Sequence, residues 1–497
     1  MQAPKKPEKS WPTVMYKHGI KINENPTETV KPKEGTSGIA VVIGTSPINL
    51  LDDPEKAVNK PIAVRSYEEA VKKMGYSEDY EKYTISQSIY ASFKQFSVAP
   101  IVLINVLDPA RHKEAVTEQE VKVENRQATL KKSGMLMKAL VVKKEDAELK
   151  SGTDYIATFD EDGYVVISLL ESGSAGAATT LKVSGDRIAP EKVTAQDIIG
   201  GYDAVTGKET GMACIRQVFP STGLVPGLLS APGWSKDANV GAALISKCKE
   251  VNGLFRAFAV IDISTAKATK YEDVAKEKEA CGFDSEDAAV LWPMIAVGDR
   301  KFAYSALYAA KLAANDMAND DVVAISASNQ DIGATAAVLE DGTEVTLDEM
   351  QANELNAIGV VTVNNFAGKI YTWGNNTSAY PRVTDVKDRR IGCRRFFSWW
   401  GNRFILDYHE YIDSPATIKK IEALVDTENI KGNSLAAQGK CAGASISFDA
   451  SQVDTEDLIE GNIEFTQKLA PYTPMEYITN TLEFDTSMLE AEFEGGN

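Results

Sequence analysis

The sequence has few of the residues on which metal sites and disulfide frameworks depend. Its 497 residues include five cysteines and three histidines. The cysteines are odd in number and form no C-x-x-C pair, so we expect buried reduced thiols rather than disulfides or a zinc site. His18, His112 and His409 lie far apart in the chain, which argues against a histidine metal centre. The sequence therefore predicts no metal and no cofactor.

Long apolar runs are also missing. The most apolar stretches, such as IAVVIG and IVLINVL, have the length of one strand and are much shorter than the ~20 residues of a membrane-spanning helix. The N-terminal MQAPKKPEKSWP has no apolar core, so we expect no secretory signal, and we expect the chain to fold in a cytoplasm.

The chain has fewer basic than acidic residues: 53 Lys and Arg against 71 Asp and Glu, which gives a net charge of -18. This balance disfavours general binding to nucleic acid or to an anionic membrane.

Catalytic signatures are absent or incomplete. The sequence has no G-x-S-x-G and no H-E-x-x-H motif. GGYDAVTGKET, residues 200–210, resembles a phosphate-binding loop, but Tyr202 stands where the first glycine should be, and Glu209 replaces the Ser or Thr that binds magnesium. A simple loop or helix start is the better interpretation, and no catalytic residue is predicted. A soluble α/β enzyme that binds a nucleotide through this imperfect loop stays an alternative.

The chain is rich instead in buried strands that alternate with amphipathic helices. GIAVVIG and APIVLINVLD predict strands in residues 34–111, and SYEEAVKKMG predicts a helix that Ser66 begins and Gly75 ends. Strands such as FRAFAVIDIS resume in residues 198–365. Between the two blocks, residues 112–197 consist of short alternating runs and turns such as DEDG. The pattern predicts a multidomain α/β fold whose core, 34–111 and 198–365, is interrupted by an all-β domain.

The two ends of the chain predict extended arms. Residues 1–33 are lysine-rich and contain one run of period two, VMYKHGIKI, which predicts a lone strand that needs a sheet edge elsewhere. Residues 366–497 form the C-terminal domain, and from residue 449 onward they contain twelve acidic residues against one lysine. The residues assigned to arm strands and hence to subunit interfaces are Val14, Tyr16, Ile20, Ile22, Ile478, Leu482 and Phe484.

DVKDRRIGCRRFFSWWGNRF, residues 385–404, combines arginines with aromatic residues. In a helix, one stripe predicted to face the core contains Phe397, Trp400, Phe404 and Tyr408. Off that stripe are three arginines that we expect to contact acids of the same assembly, in the C-terminal tail or in a partner: Arg394, Arg395 and Arg403. The same composition is typical of single-stranded nucleic-acid binding, which is a further alternative, although nothing else in the chain is basic enough to support it.

The sequence around this helix, YTWGNNTSAYPRVTDVKDRRIGCRRFFSWWGNRFILDYHEYIDSP, resembles the C-terminal core of contractile phage tail sheath proteins. A W-G-N-N-T segment (373–377) precedes an arginine pair and an aromatic helix, as in that family, although Asn376 stands where the family often has arginine. Similar segments follow in the same order, among them LIEGNIEFTQKLAPYTPMEYI, and GTSGIAVVIGTSP matches near the front. The resemblance covers roughly residues 14–110 and 200–490.

The resemblance implies a structural subunit rather than an enzyme. Sheath subunits stack helically as hexameric rings around an inner tail tube, add arm strands to their neighbours, and contract to drive the tube through an envelope. The implied partners are other copies of the chain, the tube protein, and baseplate and tail terminator proteins, with no nucleic acid and no membrane insertion. The implied location is a virion tail or a phage-tail-like particle assembled in the bacterial host cytoplasm.

Overall fold

A computed structural model describes residues 33–34, 37–449, 456 and 460–494 of the chain. The α-helices are α1 (Tyr67–Met74), α2 (Ile85–Ile89), α3 (Ala195–Ile199), α4 (Val218–Thr222), α5 (Ala238–Ser246), α6 (Tyr271–Cys281), α7 (Tyr304–Ala318), α8 (Glu349–Ala357), α9 (Val386–Arg389), α10 (Ile391–Tyr408), α11 (Ile418–Ala437) and α12 (Thr486–Glu494). The strands are β1 (Lys33–Glu34), β2 (Ala40–Gly44), β3 (Ile62–Val64), β4 (Val98–Ala99), β5 (Ile101–Asn105), β6 (Lys113–Lys122), β7 (Gln127–Leu130), β8 (Val141–Lys144), β9 (Ala147–Glu148), β10 (Tyr155–Phe159), β11 (Val165–Leu169), β12 (Thr180–Ile188), β13 (Gly201–Asp203), β14 (Lys208–Thr210), β15 (Leu228–Ser230), β16 (Phe258–Asp262), β17 (Ala288–Leu291), β18 (Met294–Val297), β19 (Arg300–Phe302), β20 (Ala336–Val338), β21 (Val360–Phe366), β22 (Lys369–Trp373), β23 (Gly443–Ser447) and β24 (Thr466–Ala470).

The centre of the fold is an eight-stranded sheet in the order β22–β21–β17–β16–β15–β2–β5–β3. The strands from β21 to β5 are parallel, and β22 and β3 pair antiparallel at the two edges. β2, β5 and β16 are buried at every residue, as expected for parallel strands covered on both faces. The strands predicted from GIAVVIG, APIVLINVLD and FRAFAVIDIS are therefore confirmed, and so is the mixed α/β fold.

Local capping signals set the bounds of α1 as the sequence predicts. The Ser66 hydroxyl accepts a hydrogen bond from the backbone N–H of Glu69 over 3.1 Å. Gly75 follows the helix at φ 75°, a backbone conformation that favours glycine.

α7 packs against β2, β15 and β16 and carries a charged residue into the interior. Tyr304, Tyr308 and Leu312 recur at four-residue spacing and are all buried. Asp316 continues the same row, and its side chain is completely buried. A carboxylate on the apolar face of a helix needs a partner, because an isolated buried charge is very costly.

Residues 113–188, which we call the β module, form two antiparallel sheets. One has the order β6–β12–β8–β9 and the other the order β10–β11–β7. Between them lies a separate apolar cluster that includes Leu130, Val142, Ile167 and Val183. The chain enters at Lys113 and leaves at Ile188, which are paired across β6 and β12. The two connections to the α/β core therefore lie side by side.

Residues 200–210 form a β-hairpin in place of a phosphate-binding loop. β13 and β14 pair antiparallel, with Gly201 opposite Thr210. The Glu209 side chain is buried and forms an ion pair with Arg216. The alternative of a nucleotide enzyme based on this loop is therefore not supported, because the turn of a two-stranded ribbon replaces the strand–loop–helix geometry that a phosphate loop requires.

The C-terminal region ends in an exposed segment. α10 leads into α11, which packs against β23 of the two-stranded sheet β23–β24. Residues 471–485 form neither helix nor strand, and α12 follows. Every side chain from Tyr477 to Phe493 is exposed. The arm residues predicted here, Ile478, Leu482 and Phe484, thus form no strand within the subunit, whereas Val14, Tyr16, Ile20 and Ile22 lie outside the described residues.

Candidate functional site

The arginine- and tryptophan-rich stretch forms α10, the helix that the sequence predicts. Trp400 and Tyr408 are buried, but Phe397 and Phe404 of the predicted stripe are only half-buried. Phe396, which lies off that stripe, is completely buried. α10 thus contacts its surroundings on more than one side, because the loop after α7, α11 and the two-stranded sheet all pack near it.

Arg395 is the partner of the buried carboxylate on α7. Its guanidinium forms a two-pronged ion pair with Asp316, one of whose hydrogen bonds measures 3.3 Å, and Arg395 is only 4% exposed. Burial raises the pKa of Asp316, and the positive charge of Arg395 opposes this shift. The pair joins α10 to α7 and hence to the central sheet.

Arg394 is also buried, and its guanidinium contacts two acids, Asp287 and Asp388. Its Nε lies 3.0 Å from Asp287 Oδ1, and its Nη1 lies 3.2 Å from Asp388 Oδ1. The expectation that Arg394 and Arg395 contact acids of the C-terminal tail or of another subunit is therefore wrong. The acids that surround them come from α7, from the start of β17 and from α9, which close the space around α10 once the chain has folded.

Arg403 is the one of the three predicted assembly arginines that stays partly exposed. Its guanidinium lies 5.6 Å from the centre of the Trp399 ring and 5.5 Å from that of Trp400, and it pairs with Asp407 at 3.4 Å. With Arg394, Arg395 and Phe396 turned inward, few of these side chains are left to contact a nucleic acid. The stretch is a packing element whose basic residues neutralise buried acids.

α10 and α11 are joined by a polar cluster at the end of α10. The Tyr408 hydroxyl donates to Glu428 Oε2 over 2.9 Å, and Lys431 lies 3.3 Å from the same carboxylate and 2.8 Å from Asp407. Burial, together with the carboxylate of Glu428, raises the pKa of Tyr408 to about 12. The cluster fixes α11, and α11 in turn supports β23.

Of the two edges of the sheet β23–β24, the edge of β23 is occupied, and no described strand covers the edge of β24. The Asn429 side chain on α11 accepts from the Ile446 N–H over 2.9 Å and donates to the Ile446 carbonyl over 3.0 Å. It thereby satisfies both backbone groups of one residue of β23. Among the described strands, β24 pairs with β23 alone. The unpaired edge of β24 can therefore accept another strand.

The W-G-N-N-T loop receives the beginning of the C-terminal segment. Arg390, which directly precedes α10, forms an ion pair with Glu476, and the Asn375 amide donates to the same carboxylate over 3.2 Å. The Arg389 guanidinium donates to Asn376 Oδ1 over 3.0 Å and lies 4.2 Å from the centre of the Tyr380 ring. The motif thus links the arginine pair to the last part of the chain.

Neither a metal-binding cluster nor a membrane-spanning helix emerges from the described residues. No group of three or more His, Cys, Asp or Glu side chains within them is placed to hold a metal ion. Within the same residues, no helix is long and apolar enough to cross a membrane.

The sequence relatives of this chain are tail sheath proteins of phages. The chain is 26% identical over 503 residues to the tail sheath protein of Burkholderia phage BcepMu, covering 97% of this chain and 99% of that protein. It is 25% identical over 305 residues to the tail sheath protein of Escherichia phage P2, covering 58% of this chain and 70% of that protein. No protein-family model matches the chain.

The fold matches sheath subunits along nearly its whole length. The anti-feeding prophage helical sheath in the contracted state has a TM-score of 0.56 at 14% identity, covering 94% of this chain and 99% of that chain. The PVC sheath complex of an extracellular contractile injection system, also contracted, has a TM-score of 0.54 at 13% identity, covering 96% and 99%. In both sequence and fold, the chain is similar to contractile tail sheath proteins along nearly its whole length. The sheath subunit is a structural component of a phage tail or phage-tail-like particle and not an enzyme, as the sequence predicts.

Several important side chains of the sheath subunit escaped the sequence analysis. Asp316 could have been identified as buried, because it extends the row formed by Tyr304, Tyr308 and Leu312 at four-residue spacing. Asp287 and Glu476 carry no comparable signal. They lie in segments without helical periodicity, and their arginine partners are distant in the sequence.

Proposed function

We propose that copies of this sheath subunit stack helically as hexameric rings around an inner tail tube, and that the sheath contracts to drive the tube through a cell envelope. The observation that supports this most strongly is the row of exposed apolar side chains after Glu476. Tyr477 is 88% exposed, Leu482 86% and Phe484 81%. Large apolar side chains exposed together in one segment favour contact with another protein surface. The similarity of the fold to subunits of contracted sheaths supports other copies of the chain as that surface.

The C-terminal segment is suited to strand addition. From Ile478 to Phe484 the three apolar residues are separated by even numbers of positions, so an extended conformation places Ile478, Leu482 and Phe484 on one face, together with the polar Asn480. Strand addition supplies backbone hydrogen bonds, and the alternate side chains set the register. A neighbouring subunit would in this way cover the side chains that the single subunit leaves exposed.

The free edge of β24 is the proposed acceptor for arms of neighbouring subunits. Asn429 already occupies backbone groups of β23, which leaves β24 as the available side of this sheet. The run predicted to pair in trans is the N-terminal one, with Val14, Tyr16, Ile20 and Ile22. Arms that join successive rings would keep subunits connected while the sheath contracts.

The β module is proposed to be an inserted domain on the outer surface of the sheath. It has its own apolar cluster, and its strands carry cross-strand ion pairs such as Lys143 with Glu118 and Lys113 with Asp186. Such a charged, paired face is suited to solvent and discourages edge-to-edge association.

The remaining proposed partners are the inner tube, the baseplate and the tail terminator, and the proposed place of assembly is the host cytoplasm.

Electron microscopy of the purified protein tests the proposal. Wild-type subunits should form striated tubes. Leu482→Asp should abolish the tubes because a charge would enter the proposed interface, whereas Val205→Asp should not, although Val205 is 94% exposed at the tip of the hairpin. Deletion of residues 1–24 should likewise leave a folded subunit that forms no tubes. Normal tubes from the Leu482→Asp variant would exclude the proposed arm.

A further inference from the structure

Glu476 marks the point in the C-terminal segment where side-chain contacts with distant residues end. Among the described residues, Glu476 is the last one that hydrogen-bonds or pairs with a residue outside its own segment. After it, the only side-chain hydrogen bonds of the described chain are local ones between Ser487 and Asp485. Within the part of the chain that the structure describes, the segment is therefore held as far as Glu476, and no side-chain hydrogen bond or ion pair to a distant residue follows it.

The surface that holds Glu476 belongs to the W-G-N-N-T loop, which hydrogen bonds tie to the start of α10. The Asn375 carbonyl accepts from the Ile391 N–H over 2.9 Å, and the Arg389 carbonyl accepts from the Thr377 N–H over 2.7 Å. The Asn375 side-chain oxygen accepts from the Ser326 hydroxyl, which directs its NH2 group toward Glu476. The loop and the start of α10 thus present two fixed donors to one carboxylate.

The residues before Glu476 lie against the same surface. Tyr472, Thr473 and Pro474 line a cavity of about 290 Å³ together with Ile325 and Cys393. Proline restricts the backbone, and both Pro471 and Pro474 lie in this short stretch. The Arg390 side chain is only 14% exposed and that of Glu476 34%, so their ion pair is partly shielded from water. A charge-assisted pair in such a place is stronger than one on the open surface.

We propose that Arg390, Asn375 and Glu476 form a latch that fixes the base of the C-terminal arm, residues 477–494. The proposal rests on the assembly function proposed above and specifies where the arm begins. From Tyr477 to Asp485 an extended arm would reach about 30 Å, at roughly 3.3 Å per residue. Without the latch the free segment would begin near Pro471, and the longer tether would lower the effective concentration of the arm at its acceptor.

Chymotrypsin cleavage of the full chain, at a concentration where subunits are unassembled, tests the latch directly. The enzyme cuts after exposed tyrosines, and Tyr472 lies before the latch whereas Tyr477 follows it. Glu476→Gln removes the charge with little change of shape, and Glu483→Gln is the matched control on the free arm. Chymotrypsin also cuts the exposed Phe484 and Phe493 of the arm, so the two cleavages are measured by mass spectrometry on the retained chains, which end at Tyr472 or at Tyr477.

In Glu476→Gln, cleavage after Tyr472 should be about tenfold faster than in the wild type and in Glu483→Gln, because a tenfold change corresponds to the loss of one charge-assisted contact. Cleavage after Tyr477 should be equal in all three proteins. Equal rates after Tyr472 would overturn the latch.

Assembly provides the second measurement. Glu476→Gln should shift tube formation to a higher subunit concentration than Glu483→Gln, and an unchanged threshold would overturn the role of the latch in assembly. Leu482→Asp separates this proposal from the proposed function. If Leu482→Asp subunits assemble normally while Glu476→Gln accelerates cleavage after Tyr472, the latch stands and the arm function fails. If Leu482→Asp abolishes tubes while the cleavage rates are equal, only the latch fails.

Discussion

Arg395 and Asp316 form an ion pair that is almost wholly removed from water. Truncation of one partner leaves the other charge buried without compensation. Arg395→Ala should therefore lower the free energy of unfolding by about 3–5 kcal/mol. Arg403→Ala, which removes a partly exposed arginine from the same helix, should cost at most about 1 kcal/mol. Urea unfolding of the two variants measures the difference.

Equal unfolding midpoints for these two variants would contradict the assignment of Arg395 as a buried partner. The double variant Arg395→Met with Asp316→Leu provides a further control. It removes both charges together and keeps apolar volume in place, so it should recover most of the stability that Arg395→Ala loses.

His112 gives the subunit a predicted sensitivity to mild acid. Its Nδ1 accepts from the Asp108 N–H over 3.0 Å, and its Nε2 lies 3.5 Å from Asp197. Burial lowers the pKa of His112, assisted by Arg111 and opposed by Asp197. Because the folded-state pKa lies below the ordinary value of about 6.5, the unfolded chain takes up the proton first as pH falls. Stability should therefore decrease as pH drops below about 6.5.

The His112→Asn variant tests this prediction, since an asparagine oxygen can accept the same N–H but does not titrate. The melting temperatures of the wild type and the variant should diverge between pH 7.5 and 5.5, with the larger fall in the wild type. Parallel melting curves at every pH would exclude His112 as the source.

At the scale of elements, the β module should be separable from the α/β core. Glu114 and Arg187 are paired across β6 and β12, so a two-residue Asn-Gly turn between them can replace residues 115–186. The shortened chain should keep the circular dichroism of a folded α/β protein, because the apolar cluster of the module is separate from that of the core. The exposed pairs between Lys138 and Asp53 or Glu55 should contribute little to its stability.

An insoluble or unfolded product would show that the core depends on the module. Tubes formed by the shortened chain would in addition agree with an outward position of the module in the sheath.

At the scale of the whole molecule, the exposed arm should make the isolated subunit associate. A chain that ends at Glu476 retains the latch and loses seven exposed apolar side chains: Tyr477, Ile478, Leu482, Phe484, Met488, Leu489 and Phe493. Sedimentation velocity should show this chain as a monomer at concentrations where the full chain forms larger species. Equal association of the two chains would place the self-contact elsewhere.

Local sequence patterns determined much of this protein. Apolar runs of strand length became the buried parallel strands β2, β5 and β16, because a strand covered on both faces has no polar side to show. Ser66 and Gly75 set the ends of α1, since their effects act within one helical turn. The order of motifs along the chain was sufficient to indicate the sheath family, and residues 385–404 were correctly expected to contain a helix.

Tertiary structure alone decided which side chains meet. Arg395 and Asp316 are 79 residues apart, and Asn375 and Glu476 are 101 apart. Periodicity reveals which face of a helix is apolar, but it does not reveal which distant acid will lie beside a given arginine. That choice depends on the packing of remote segments, where the cost of burying a charge must be offset by a partner within hydrogen-bonding distance. The arginines off the stripe of α10 are therefore held inside the subunit by acids whose place only the folded chain defines.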